Sequence, residues 1–310
     1  MRFRLNLGSL WELKRITELG SMTKAAEELG LSQPALTRRI KQLEHDLGVA
    51  VLVRDHTGVA PTDIGTMILE RAHALFDQVQ RMEEDIAAAS GRLIGEVAVC
   101  LPSSMHGAVT RPFLQAAAEQ MPEVRIRFID AFDTVLHAQL ANRSADVGII
   151  IHDTDSGVPG LKLEPLVTDP LFLVGTGAAA GERAAIRIAD LDGLRLVLPS
   201  LANSLRRKLD TTFRRERVKV EVIEVDSYQA TIDVLHSGRA NTIAPSCFLV
   251  PGETSIWWSP IARLSINWTF AVQESRMQSI TVRSVGGLLK QQVANWVARS
   301  DWARSCKSIR

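Results

Sequence analysis

Three short apolar repeats, separated by glycines and each preceded by a small polar residue, fill most of the first fifty positions and leave the chain few ways to fold there. Leu10, Leu13, Ile16 and Leu19 recur at three-residue spacing with Trp11 alongside, which is the stripe of one amphipathic helix, ended by Gly20-Ser21. A second short helix fits residues 23–29, capped by Ser21 or Thr23, with Ala25-Ala26 small enough for a close crossing and Gly30 as a left-handed stop. Ser32 or Gln33 caps a third helix, and Pro34 suits its first turn, where a missing N–H costs little. Along that helix Leu36, Ile40, Leu43 and Leu47 must face a core, and the opposite face carries Pro34, Thr37, Arg38 and Lys41.

Two short helices joined by a glycine-containing turn, the second with a basic outer face, describe a helix-turn-helix, whose second helix enters the major groove of DNA. The side chains suit that groove. Gln33 can pair with adenine edges, Thr37 with a base or a phosphate, Arg38 with guanine or phosphate, and Pro34 can touch a thymine methyl. Which of these read bases and which hold phosphates is open at this stage, and taken alone the helix equally fits an amphipathic helix with solvated charges. Its neighbour favours the first reading: residues 51–53 and 59–61 form a hairpin around the polar tip Arg54-Asp55-His56-Thr57-Gly58, placed as a wing. The candidate DNA contacts are therefore Ser32, Gln33, Pro34, Thr37, Arg38 and Lys41, with Arg54 and His56 on the wing against backbone or minor groove.

Residues 62–90 are helix-compatible apart from Gly65, with Thr62 as cap and Asp63 as a favourable first-turn charge. Ile68, Ala72, Leu75, Val79, Met82 and Ile86 repeat there at coiled-coil spacing, flanked by Glu70, Arg71, Asp77, Arg81, Glu83, Glu84 and Asp85. Such a seam needs cover, either from the chain's own domain or from a second copy; the regular heptads favour dimerisation.

Beyond Gly91 the texture alternates. Residues 97–101, 124–129, 146–151, 171–174, 195–198, 219–225, 241–244 and 269–272 read as strands, and 111–120, 134–142, 204–215, 228–237 and 280–298 as helices, which together predict an α/β region. Ligands of open α/β sheets sit beyond the carboxyl ends of strands, where this sequence places Ser103, Ser104, Ser200, Asn203, Ser227 and Ser246. These are candidate donors to a small anionic or polar effector, and each is equally a cap for the helix that follows.

A net charge of +1 confines any nucleic-acid surface to a local patch such as Arg38, Arg39 and Lys41. A second cationic run, Arg206-Arg207-Lys208 with Arg214, Arg215, Arg217 and Lys219, is interrupted by Asp210 and Glu216 and reads as a solvated helix face. Cys100, Cys247 and Cys306 are odd in number and far apart, so neither a disulfide framework nor a zinc site is expected. The first residues lack a signal-peptide core and no apolar run could span a bilayer, which predicts a cytoplasmic protein. No G-x-S-x-G, phosphate loop or His-Glu-x-x-His is present and the seven histidines are scattered, so neither an enzyme nor a cofactor is expected. A solute-binding protein is the other rival, opposed by the helix-turn-helix.

The block GSMTKAAEELGLSQPALTRRIKQLEHDLGVAVLVRD followed by PTDIG, residues 20–55 and 61–65, resembles the winged helix-turn-helix of LysR-type transcriptional regulators. It departs at the wing tip, where Thr57 stands in place of the usual second arginine. LPSLANSLRRKLD with the VGT at 174–176 is similar to the nitrogen-assimilation-control branch of that family. The resemblance implies an N-terminal winged helix-turn-helix over 1–61, a linker helix over 62–91 that dimerises the chain, and an α/β effector region like type 2 periplasmic-binding proteins. Its two subdomains would be 92–163 with 266–310, and 164–265. It further implies double-stranded DNA read as an interrupted palindrome, a tetramer beyond the dimer, RNA polymerase as partner, and a small-molecule effector in the cleft.

Overall fold

The computed structural model describes residues 5–55, 58–152, 157–177, 181–249, 256–299 and 307–308. They form two compact units, Met1–Met82 and Glu83–Arg310.

In the first unit α1 (Leu7–Leu19), α2 (Met22–Glu28) and α3 (Gln33–Leu47) precede the hairpin of β1 (Leu52–Asp55) and β2 (Gly58–Pro61). The local chemistry sets these boundaries. Asn6 Oδ1 accepts from the Gly8 N–H at 2.7 Å, Ser21 Oγ from that of Lys24 at 3.4 Å, and Ser32 Oγ from that of Ala35 at 3.3 Å, while Gly20 and Gly48 stop α1 and α3 with φ of 62° and 74°. Leu13, Ile16, Ala25, Leu36 and Ile40 from the three helices share one core with Val51 and Leu52 of the hairpin. Pairing Leu52 with Pro61 and Asp55 with Gly58 fixes the hairpin register.

Helix α4 (Asp63–Ala89) starts where Thr62 Oγ1 accepts from the Gly65 N–H at 2.9 Å. A Cβ on Gly65 would lie 2.1 Å from the Val51 carbonyl oxygen, so this one glycine inside a long helix is required by close approach to the hairpin.

The second unit continues with β3 (Gly95–Pro102), α5 (Arg111–Gln120), β4 (Val124–Ala131), α6 (Asp133–Ala141) and β5 (Val147–Ile151), the three strands being parallel. Next come β6 (Leu161–Thr176), β7 (Gly181–Glu182), β8 (Arg195–Leu198), α7 (Ser204–Glu216), β9 (Glu221–Glu224), α8 (Tyr228–His236), β10 (Thr242–Pro245), β11 (Ile256–Gln273), α9 (Ile280–Arg299) and β12 (Lys307–Ser308). The main sheet runs β10-β6-β11-β5-β3-β4, and β8 pairs β9 in parallel. Strands β6 and β11 are antiparallel to each other along most of their length and carry the chain out to the β8–β10 half and back. The segments 171–174 and 269–272, expected as complete strands, are the recognisable parts of these two. Pro165, Pro170 and Pro260, with register shifts at Pro260/Ser265 and Trp268/Thr269, break the alternation over the rest.

Helix α9 returns to the first half and buries Val282, Val285, Leu289 and Val293 in the core that also holds Val97, Val99 and Leu101 of β3. Ahead of it a buried ionic cluster fixes the last turns of α4. Arg276 Nη2 lies 3.6 Å from Glu84 Oε1, Arg276 Nε lies 3.2 Å from Asp146 Oδ1, and the Ser279 hydroxyl donates to Glu84 Oε2. Among the described residues no helix is long and apolar enough to cross a membrane.

Candidate nucleic-acid interface and effector cavity

Leu36, Ile40 and Leu43 face inward along α3, which turns Ser32, Gln33, Pro34, Arg38 and Lys41 outward as exposed side chains, with Thr37 half-buried beside them. The Gln33 amide donates to Thr37 Oγ1 at 3.3 Å. Arg38 and Lys41 make no ion pair among the described residues, whereas their neighbour Arg39 pairs with Glu12, a carboxylate only 6% exposed on α1. The basic run thus divides into two outward cations and one structural one. Arg54 stands on β1 opposite Val59. Its side chain, and all of His56 and Thr57, lie outside the described residues.

Along α4 the expected seam divides as well. Ala72 is 1% exposed and Ile68 packs against the helix-turn-helix core, so these two are covered within their own unit. Leu75, Met82 and Ile86 are 49%, 57% and 64% exposed, with Val79 half-buried among them. Repetition alone could not tell the covered positions from the open ones, because both sets satisfy the same heptad.

In the second unit the carboxyl ends of β3, β4, β8 and β10 converge on a cavity of about 80 Å³. It is lined mainly by apolar side chains, including Pro102, Phe132, Ile151, Tyr228, Phe248 and Trp268, with Ser103, Ser104, Asp133, Asn203, Thr231 and Thr242 as the polar ones. Ser103, Phe132 and Tyr228 also border a wider cleft of about 840 Å³ that includes His106, Ser200, Asp226 and Ser227.

Five of the six expected effector residues are therefore brought to one space or the other, three of them with their side chains already engaged. Asn203 Oδ1 caps α7 through the Leu205 N–H at 2.9 Å, and Ser227 Oγ caps α8 through that of Ala230 at 3.3 Å. Ser104 Oγ accepts from the Cys247 thiol at 3.7 Å. Ser246 does not line either space: it is fully buried, because its N–H turns inward to Asp169 Oδ1 at 3.2 Å.

Asp133 lines the cavity too, outside the set of strand-end hydroxyls and amides. Buried at the start of α6, its Oδ1 accepts from the Ile151 N–H at 3.2 Å and its Oδ2 from the Ser204 N–H, at the start of α7, also at 3.2 Å. His137, one helical turn on, places Nε2 at 3.3 Å from Oδ1. Burial pushes the Asp133 carboxyl up, but hydrogen bonding to His137, the charge of that ring, and the donors at Ser204 and Ile151 outweigh it and hold the group below its ordinary value of 3.8. The same hydrogen bond, against burial and helped by the Asp133 charge, raises His137 above 6.5. A signal existed: Phe132-Asp133 directly follows strand β4, as each serine follows its strand.

The second cationic run is less solvated than expected. Arg206 is buried and bonds to Asp210 Oδ1 at 3.0 Å and to the Pro199 carbonyl at 2.9 Å, because its stem falls on the packed face of α7 beside Leu205 and Leu209. Arg215 stays outside and pairs with Glu216 at 3.0 Å. Cys100 and Cys247 are buried and in no disulfide, and burial pushes the Cys100 thiol up to about 12, so it offers no thiolate. Among the described residues no three His, Cys, Asp or Glu gather as a metal cage.

Residues 10–66 match the family model described as bacterial regulatory helix-turn-helix protein, lysR family, and residues 90–294 match that of the LysR substrate binding domain. The nitrogen assimilation regulatory protein nac of Escherichia coli K12 is 29% identical over 271 residues, spanning 85% of this chain and 88% of the relative. A full-length OxyR variant from Pseudomonas aeruginosa superposes with a TM-score of 0.72 at 18% identity, over the whole of both chains. Full-length CbnR in complex with its target DNA does so with a TM-score of 0.61 at 19% identity, over 94% of this chain and 100% of the other.

Proposed function

The chain belongs to the LysR family of bacterial transcriptional regulators, and from that premise we propose that it binds an interrupted palindrome of double-stranded DNA as a dimer, under the control of a small molecule held in the cavity of its second unit. It is a regulator with an effector-binding domain; its named relatives are regulators, not enzymes. The observation that carries the DNA reading is the outer face of α3, where Arg38 and Lys41 stay exposed and unpaired among the described residues while Arg39 is bound to Glu12. Ser32, Gln33, Pro34 and Thr37 complete that face, and Arg54 and His56 are the sequence's candidates for contact with the flanking backbone. Leu75, Met82 and Ile86 supply the apolar surface for the second copy, and two such dimers joined as a tetramer would contact RNA polymerase in the cytoplasm.

Control operates as a population shift. A ligand that favours one closure of the β3–β5 half on the β8–β10 half changes the presentation of the paired recognition helices and the bend imposed on the DNA. Fluorescence anisotropy across a salt series tests the interface. Replacing Lys41 with Ala should lower the salt slope by about one, the signature of one lost phosphate contact. A chain with no DNA affinity even at low salt would end the regulator reading.

A further inference from the structure

The effector cavity carries one charged side chain among its described lining residues, and it is negative. Asp133 faces the cavity, no lysine, arginine or histidine lines it, and the surrounding wall is built from Pro102, Phe132, Ile151, Phe248 and Trp268. The carboxylate is also bound from three elements at once: its own helix α6 through His137, the end of β5 through the Ile151 N–H, and the first turn of α7 through the Ser204 N–H. Ser204 belongs to the β8–β10 half, so one carboxylate spans the cleft. Backbone N–H groups at a helix start are what a ligand carboxylate or phosphate would seek here, and the Ser204 N–H already has an anion 3.2 Å away.

We propose that Asp133 is a built-in substitute for an anionic effector: it fills the anion position of the cavity, holds the two halves together without ligand, and leaves the remaining space to neutral, mainly apolar molecules. This rests on the effector-cavity reading above. It excludes the anionic one of the two ligand classes, anionic or polar, that the serines at the strand ends suggested. A free carboxylate entering the cavity would meet Asp133 at close range in an apolar wall, where like charges repel strongly. A neutral ring or short chain would meet mainly apolar surface, with Ser103, Ser104, Asn203, Thr231 and Thr242 as the uncharged polar residues along it.

Chemical rescue tests the substitution. Asp133→Ala in the full chain removes the carboxylate and leaves room for formate, whose oxygens can take the two vacated N–H groups. The variant should melt below the wild type, and formate at constant ionic strength should raise the melting temperature of its effector-binding unit saturably, by about 3–6 °C at a tenfold excess over its Kd. Formamide should not, and formate should leave the wild type unmoved. Should Asp133→Ala not fold, it is refolded with formate or formamide, and the proposal requires that formate alone recover folded protein. Formate acting equally on wild type and variant, or failing to stabilise or recover the variant, overturns the proposal. DNA affinity measured on the same wild-type preparation separates the outcomes: retained binding with failed rescue removes the internal anion alone, whereas absent binding removes the regulator reading.

Discussion

The α3 face and the effector cavity dispose of their charge in opposite ways. On α3 two cations, Arg38 and Lys41, point outward with no carboxylate to neutralise them among the described residues. In the cavity the single charged side chain is bound from three sides. Solvent accounts for the difference. An exposed cation is hydrated and loses little by waiting for a polyanion, while a buried carboxylate without partners would cost several kcal/mol. A surface meant for a charged partner can keep its charge available; an apolar cavity must use its charge internally, and its ligand follows from what remains.

The largest effect should come from removing the pairing of reading heads. Replacing Leu75 and Met82 together with Glu puts two charges on the exposed apolar stripe of α4, and DNA affinity should fall more than about a hundredfold as the dimer dissociates. A protein that sediments as a dimer with unchanged affinity would show that this stripe is not the partner surface. Next, Arg38→Ala should weaken DNA binding by about ten- to a hundredfold, with less effect from His56→Ala, since the wing tip carries Thr57 where a second arginine is usual. The reverse ranking would move the main contact from helix to wing.

Arg39→Ala tests the comparison on a single helix. It leaves the buried Glu12 carboxylate unpaired and should destabilise the first unit by on the order of 1–3 kcal/mol in urea unfolding. Its loss of DNA affinity should be smaller than that of Arg38→Ala. Equal losses would mean that the Glu12 pair opens on DNA. The smallest effect is in pH. Because His137 is raised above 6.5, its contribution is complete below that value and is lost as pH rises through the raised one; Asp133, held below 3.8, contributes above 3.8 and loses this only in acid. The melting-temperature gap between wild type and His137→Gln should therefore shrink from pH 6 to 9. A gap that widens would break the assignment.

The first unit was legible because its information is local. A cap, a glycine stop and an apolar stripe each lie within a few residues, so α3 comes out at 33–47 as expected. The long strands were only half legible, since β6 and β11 take their pairing from residues about a hundred positions apart and carry prolines where the pattern should continue. The seam on α4 was found but not divided, as nothing in Ile68 or Ala72 states that their own core will cover them. Asp133 was missed for a chemical reason: a search for donors to an anion looks for hydroxyls and amides, and passes over an anion that already has its donors.

Gly65 and Glu84 seat the two ends of α4, each within its own unit. The first lies against the Val51 carbonyl, where no side chain fits, and the second is bound to Arg276 and Ser279. Each residue of an α-helix advances it by about 1.5 Å and a hundred degrees of rotation. The close approach at Gly65 is therefore a matter of register, not of composition: one residue inserted between Thr62 and Gly65 would turn Ile64 toward the Val51 carbonyl, where even a methyl group has no room.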